Sequence, residues 1–318
     1  MAVSLFAAGC HVPGTGSNTA APTKSSITVA AIPGVDDAPL FMAQREGLFA
    51  SAGLTVNIQT YTSASAEIAA LSNGRADVAV GDYADFFFAQ DIPKHPGFSI
   101  VADAYDAAPS VMQVLALPGS GISTAQALQG RTIGTSEPQE IPRTATLPYS
   151  EETLATQSVL TNDGVSPQDV HWKPLPTSQL VNALKTHQVS AILATEPTIY
   201  QAESQLGATE VIDSCSGQTA SLPLAGYFTL GSFSQKYRAT VLAFRSALLQ
   251  AQAQAAQATQ VQAVLASEEH MGSQAAALVT LGVYPTSLKA GSLQRVAALM
   301  SSFNLLTPPV NVAKLIFH

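Results

Sequence analysis

The chain has 318 residues, 47% of them hydrophobic and 11% charged, and a net charge of −8 at pH 7. That apolar content excludes an intrinsically disordered chain. The 14 Lys and Arg, against 22 Asp and Glu, exclude the basic footprint that nucleic acid binding demands.

The amino terminus comes first. Met1 to Gly9 is apolar and small, and Ala7-Ala8-Gly9 precedes Cys10, after which Gly, Pro, Ser and Thr dominate to about Ser26. The pattern resembles a bacterial lipobox, which implies lipidation at Cys10 and a flexible tether over residues 11–26. No Lys or Arg precedes the apolar stretch, so the natural start is expected upstream. No window approaches the roughly 18 consecutive apolar residues of a spanning helix. With Cys10 acylated, Cys215 has no partner and is expected to be a small buried hydrophobe.

From Ile27 short β-rich runs alternate with amphipathic stretches, which predicts an α/β fold. A strand at 27–32 ends in Pro33-Gly34-Val35-Asp36-Asp37, and Asp37 is placed to cap a helix that has Pro39 in its first turn. A strand at 54–61 leads to a helix opened by Ser63 or Ser65 and closed by Asn73-Gly74. A third strand, 76–80, runs into Gly81-Asp82-Tyr83. Residues 98–105 and 110–117 read as consecutive strands with no helix between them, a crossover into a second α/β unit. That unit has a short helix at 125–130, a strand at 131–134 and a long loop through Pro148. It continues with a helix opened by Ser150 with Glu151 and Glu152 in its first turn, a strand at 169–172, a helix at 178–186 and a strand at 190–194 before Glu196-Pro197. A strand near 210–212 and a return crossing at 224–230 follow. The tail is helical, with 237–267 read as one run presenting Val241, Phe244, Leu248, Ala255 and Val264 on one apolar face.

In open parallel sheets ligands bind beyond the carboxyl ends of strands, where helix amino termini present unpaired N–H groups. The candidate ligand-binding residues are therefore Asp36, Asp37, Ser63, Ser65, Gly81, Asp82, Tyr83, Ser136, Glu137, Arg143, Glu196 and Tyr227. The acids favour a cationic or hydroxyl-rich ligand, and Arg143 is the candidate for gripping an anion. Tyr83, Tyr149, Trp172 and Tyr227 are candidates for stacking on a ring. The six His show no pair at metal-ligand spacing, and neither a glycine-rich phosphate loop nor a Gly-x-Ser-x-Gly elbow occurs. No cofactor, metal or catalytic residue is expected.

The run Ala38-Pro39-Leu40-Phe41-Met42-Ala43 with Glu46-Gly47-Leu48-Phe49 and Ala70-Leu71-Ser72-Asn73-Gly74-Arg75-Ala76-Asp77-Val78-Ala79 resembles the opening of a known family. So do Leu128-Gln129-Gly130-Arg131-Thr132-Ile133-Gly134 and Glu196-Pro197 in the second unit. The likeness is to periplasmic solute-binding proteins of the aliphatic sulfonate, nitrate, taurine and thiamine-precursor group. It implies a type II periplasmic-binding-protein fold, with one lobe at 27–108 and 225–318 and the other at 109–224. It further implies a monomeric extracytoplasmic receptor, lipid-anchored to the outer face of the cell membrane, that hands a small molecule to an ABC permease and its ATPase. An enzyme on the same scaffold, similar to menaquinone-precursor enzymes or a desulfinase with a cleft cysteine, is the alternative.

Overall fold

The computed structural model describes residues 21–92, 95–136, 150–268, 272–306 and 310–318. In chain order the elements begin β1 (Ser26–Ala31), α1 (Ala38–Arg45), α2 (Leu48–Ser51), β2 (Thr55–Thr60), α3 (Ala64–Ser72), β3 (Val78–Asp82), α4 (Tyr83–Asp91) and β4 (Phe98–Asp106). A second series has β5 (Met112–Ala116), β6 (Thr132–Ser136), α5 (Glu151–Asn162), β7 (His171–Leu175), α6 (Thr177–Lys185), β8 (Ala191–Thr195), α7 (Thr198–Leu206) and β9 (Thr209–Asp213). The chain then returns through β10 (Pro223–Leu230) to α8 (Gly231–Lys236), α9 (Arg238–Ala255), α10 (Ala258–Glu268), α11 (Ser273–Ala276) and α12 (Ala290–Ser302).

The strands form two five-stranded sheets of the same design. One has the order β2-β1-β3-β10-β4, the other β7-β6-β8-β5-β9. In each, three strands run parallel and the strand by which the chain enters that sheet is inserted antiparallel: β10 between β3 and β4, and β5 between β8 and β9. The chain passes between the sheets at residues 107–111, which hold no helix, and at 214–222, which hold a short 3-10 turn at Gly217–Thr219.

Parallel sheets are stable when both faces are covered. On the second sheet Val114 and Leu193 pack with Leu128, Ile133 and Leu160 on one face, whereas their neighbours Leu115 and Ile192 pack with Leu180, Leu184 and Ile199 on the other. That alternation is the two-residue period of a strand. The first sheet carries an aromatic cluster in which Phe86 stacks on Phe228 at 3.8 Å, and Tyr83 and Phe98 meet Phe228 edge-on at 5.5 and 6.4 Å. Gly226 makes this possible, because a Cβ there would stand 2.5 Å from the Tyr83 ring and hydroxyl.

Three expectations are corrected. The third strand starts at Val78 because the Asp77 carboxylate is engaged by Thr28 N–H at 3.0 Å and Lys24 Nζ at 2.6 Å. It ends later than expected because β10 pairs with Gly81 and Asp82. The strand placed at 169–172 is displaced to His171–Leu175, since Pro167–Asp169 forms a 3-10 turn; its Pro174 is tolerated on an edge strand. The helical tail is two helices, not one, because the chain turns after Ala255 to lay α10 on α1 and α11. The five residues read as its apolar face are all buried, and Phe244 stacks on Phe49 at 5.2 Å.

Candidate functional site

A cavity of about 340 Å³ lies where residues following the strands of both sheets meet. Pro33 to Asp36 follow β1, Ala64 and Glu67 belong to the first turn of α3, and Gly81 and Asp82 end β3. Facing them are Glu151 and Glu152 at the start of α5, Thr177 at the start of α6, Thr195 at the end of β8, and Glu196 and Pro197 after it. Tyr105, Val111, Met112, Leu224 and Ala225, from the crossings, and Leu265 of α10 supply much of the apolar wall.

Two carboxylates are fixed at the wall by one oxygen each. Glu67 is fully buried; its Oε1 accepts Val80 N–H at 3.1 Å, and its Oε2 has no hydrogen-bond partner among the described residues. Gly81 permits this, since a Cβ there would stand 2.9 Å from that free oxygen. Glu151 is 2% exposed; its Oε2 accepts Ala84 N–H at 3.0 Å, while Oε1 has no partner among the described residues. The α5 residue thus satisfies an amino-terminal N–H of α4, which the side chain of Asp82, the N-cap, does not bond. Glu196 spans the same gap, accepting Tyr200 N–H at 3.1 Å and Thr280 N–H at 3.0 Å.

Burial disfavours charge, so these acids hold protons more tightly than in water. Asp36 is raised to about 6, chiefly by desolvation and further by Glu152. Desolvation also pushes Glu67, Asp82 and Glu151 well up, with neighbouring carboxylates adding to it, and it raises Glu196. Asp85, in the first turn of α4, rises to about 7 for the same causes. Among the described residues no Lys, Arg or His lines the cavity, and no group of three or more His, Cys, Asp or Glu is placed to hold a metal ion.

Of the candidate residues, Asp36, Gly81, Asp82 and Glu196 line this cavity. Asp37 sits behind it, buried, with Oδ1 accepting Gly34 N–H at 3.1 Å and so shaping the turn rather than capping α1 by its side chain. Ser63 is the N-cap of α3, accepting Ala66 N–H at 3.3 Å, and Ser65, two residues on, is exposed. Ser63→Ala is therefore expected to cost about 1 kcal/mol of stability, read from urea unfolding, and to leave the cavity's binding properties unchanged. Ser136 ends β6 and lies off the cavity wall.

The aromatic candidates lie elsewhere. Tyr83 and Tyr227 are fully buried in the core, because the first residue of α4 and the inserted strand both turn inward there. Trp172 packs against the second sheet and donates Nε1–H to the Pro167 carbonyl at 3.1 Å. Tyr105 is the aromatic residue at the wall; its hydroxyl accepts Gly282 N–H. Beside it, at 5.2 Å between rings, Tyr284 donates to the Val35 carbonyl at 2.6 Å and ties down the turn that carries Asp36. Cys10, Glu137, Arg143 and Tyr149 lie outside the described residues. Cys215 is 3% exposed, off the cavity wall, and desolvation with help from Asp213 pushes its thiol up to about 12.

The sequence reading missed Glu67, Glu151 and Glu152. Their signal was present, since a first-turn acid on a helix that follows a strand end faces the cleft as well as the helix dipole.

The sequence model of the NMT1-like family matches residues 20–267. No curated protein sequence gives a significant match. Among solved structures the chain is similar to the periplasmic aliphatic sulphonate binding protein SsuA from Escherichia coli, with 16% identity, 92% of this chain and 98% of that one covered, and a TM-score of 0.75. It is similar to the periplasmic nitrate-binding protein NrtA from Synechocystis PCC 6803 at 13% identity, covering 93% and 87%, with a TM-score of 0.72. It is also similar to the desulfurization enzyme DSZB at 14% identity, covering 91% and 96%, with a TM-score of 0.67. At these identities the likeness establishes the fold, that of periplasmic binding proteins, which receptors and an enzyme share.

Proposed function

We propose, from the premise that this chain belongs to the NMT1-like family, that it is the extracytoplasmic substrate-binding protein of an ABC importer. It captures a small solute between its two lobes and delivers it to a membrane permease worked by an ATPase. The observation that carries the reading is the cavity itself, walled by strand-end residues of both sheets. A solute there touches both halves at once, so it favours the closed arrangement by its extra contacts, as any ligand shifts a two-state equilibrium by differential affinity. Anchoring through an acylated Cys10 and action as a monomer belong to the same proposal.

The enzyme alternative would place a reactive cysteine in the cleft. Cys215 is buried instead, and a thiol raised to about 12 is the opposite of an activated nucleophile.

The test is thermal-shift screening of the full chain with sulfonates, nitrate, pyrimidine precursors, riboflavin and polyamines. One chemical class is expected to raise the melting temperature. A compound at 100 times its Kd adds about 2.7 kcal/mol, on the order of 5 °C or more for a chain of this size. The bound compound should be recovered unchanged. Recovery of a converted product, or no shift with any compound, would overturn the reading.

A further inference from the structure

The two ends of the first sheet differ in charge. Acids gather at the cavity, beyond the carboxyl ends of β1 and β3. At the opposite end, where β1 and β3 begin and the antiparallel β10 finishes, basic and aromatic side chains meet. Lys24 stands just before β1, and its backbone N–H donates to Thr240 Oγ1 at 3.1 Å, which joins it to the first turn of α9. Lys24 Nζ lies 5.3 Å from the centre of the Phe233 ring and 5.9 Å from that of Tyr237, and Lys236 Nζ lies 5.0 Å from Tyr237. The guanidinium groups of Arg238 and Arg245 lie 5.2 and 5.3 Å over Phe317 and donate to the backbone oxygens of His318 and Phe317. Arg75, exposed, precedes β3 at the same end. Asp77, engaged by Lys24 Nζ at 2.6 Å, and Asp91, which ends α4 next to the start of β4, accompany them.

Such a pole runs against the net charge of −8 carried by the whole chain. The rings hold the cations in place. A guanidinium that gives some of its five N–H groups to backbone oxygens keeps others for a phosphate, which its planar fork suits. Tyr237, half-buried between exposed Lys236 and Arg238, is the kind of amphipathic ring that settles at the level of lipid headgroups. The position of the amino-terminal stretch is the second, independent observation. Cys10, the residue read as the lipid anchor, precedes Lys24 by 14 residues, and a chain of that length reaches at most about 50 Å. Acylation there would hold this pole, rather than the cavity, nearest the bilayer.

We propose that this pole of the first lobe is a docking face for an anionic lipid bilayer, on which Lys236 and Arg238, flanked by Lys24, Arg75 and Arg245, meet the headgroup phosphates. The inference goes beyond the receptor reading and takes from it only the nearness of a membrane. Docked in this way, the chain rests with its cavity turned from the bilayer, where solute arrives.

Vesicle flotation of the full chain carrying Cys10→Ser, which cannot be acylated, tests the face apart from the anchor, so its failure leaves the receptor reading standing. Vesicles of equal parts phosphatidylglycerol and phosphatidylcholine are expected to bind the chain at least about tenfold more tightly than phosphatidylcholine alone. Sodium chloride at about 0.5 M, which shortens the reach of charge to about 4 Å, should abolish the difference. A cation near an anionic surface contributes about fivefold to partition, so Lys236→Gln with Arg238→Gln should weaken binding about twentyfold. Both positions are exposed, and exposed substitutions usually leave stability little changed. Lys173→Gln with Lys185→Gln removes the same charge from β7 and α6 of the second sheet's side and should leave binding within a factor of about two, since those charges stand more than a screening length away. Equal binding of the unaltered face to both kinds of vesicle, indifference to salt, or an equal loss with the Lys173 and Lys185 pair would overturn the docking face.

Discussion

Truncating Tyr83 to alanine is expected to destabilise the fold by about 3–5 kcal/mol and to leave the ligand affinity of the folded fraction within a factor of about three. Tyr83 is fully buried, its ring lies 5.6 Å from Phe87 and 5.5 Å from Phe228, and its hydroxyl donates to Asp103 Oδ1 at 2.9 Å. Removing the ring opens a cavity against Gly226, which has no side chain to fill it, and strips a buried carboxyl of its donor. Tyr83→Phe isolates the second effect and should cost about 1–3 kcal/mol, the usual penalty for an orphaned buried acceptor. Urea unfolding monitored by fluorescence and by circular dichroism gives both values. Loss of ligand binding in a Tyr83→Ala protein of undiminished stability would return this residue to the site.

The second large effect concerns pH. Without ligand, the protein is expected to be most stable in mild acid and to lose stability steadily from pH 5 to pH 8. Desolvation raises Asp36 and Asp106 to about 6, Asp85 to about 7 and Asp103 to about 8, from an ordinary value of 3.8. The unfolded chain releases these protons near pH 4, whereas the folded chain keeps them. Between those limits the native state binds more protons, so the unfolding free energy falls as pH rises. Below about pH 4 both states are protonated and the contribution is fully present; it is lost as pH climbs through the folded values. One pH unit of displacement is worth about 1.4 kcal/mol for a buried group, so the decline is a large share of a typical fold's margin. Melting temperatures taken every half unit from pH 4.5 to 8.5 should decline across neutrality, and a steady rise over that range would contradict the assignment.

The alternation of strand and helix was readable because each element carries its own punctuation. Ser63 and Ser150 cap α3 and α5, and Asn73-Gly74 and Gly164 end them where expected. Strand ends therefore located Asp36, Gly81, Asp82 and Glu196 on the cavity wall. What local pattern could not tell was which way a side chain faces once a distant segment arrives. Tyr83 and Tyr227 read as possible stacking residues until β10, more than 130 positions after β3, encloses them in the core. Glu151 reads as a helix-dipole acid, and only the opposing half, through Ala84, shows it bound and buried. The break after Ala255 has no Gly or Pro to announce it and follows from the docking of α10 on α1.

The inserted antiparallel strands also govern the order in which the protein can be made. Until β10 at Pro223–Leu230 has been synthesised, β3 and β4 have no partner between them, and the first-made third of the chain is an incomplete sheet with raw edges. The second sheet, drawn wholly from residues 112–213, is the earlier one to become self-sufficient on the ribosome. The nascent polypeptide therefore stays unfinished at its leading end for most of translation.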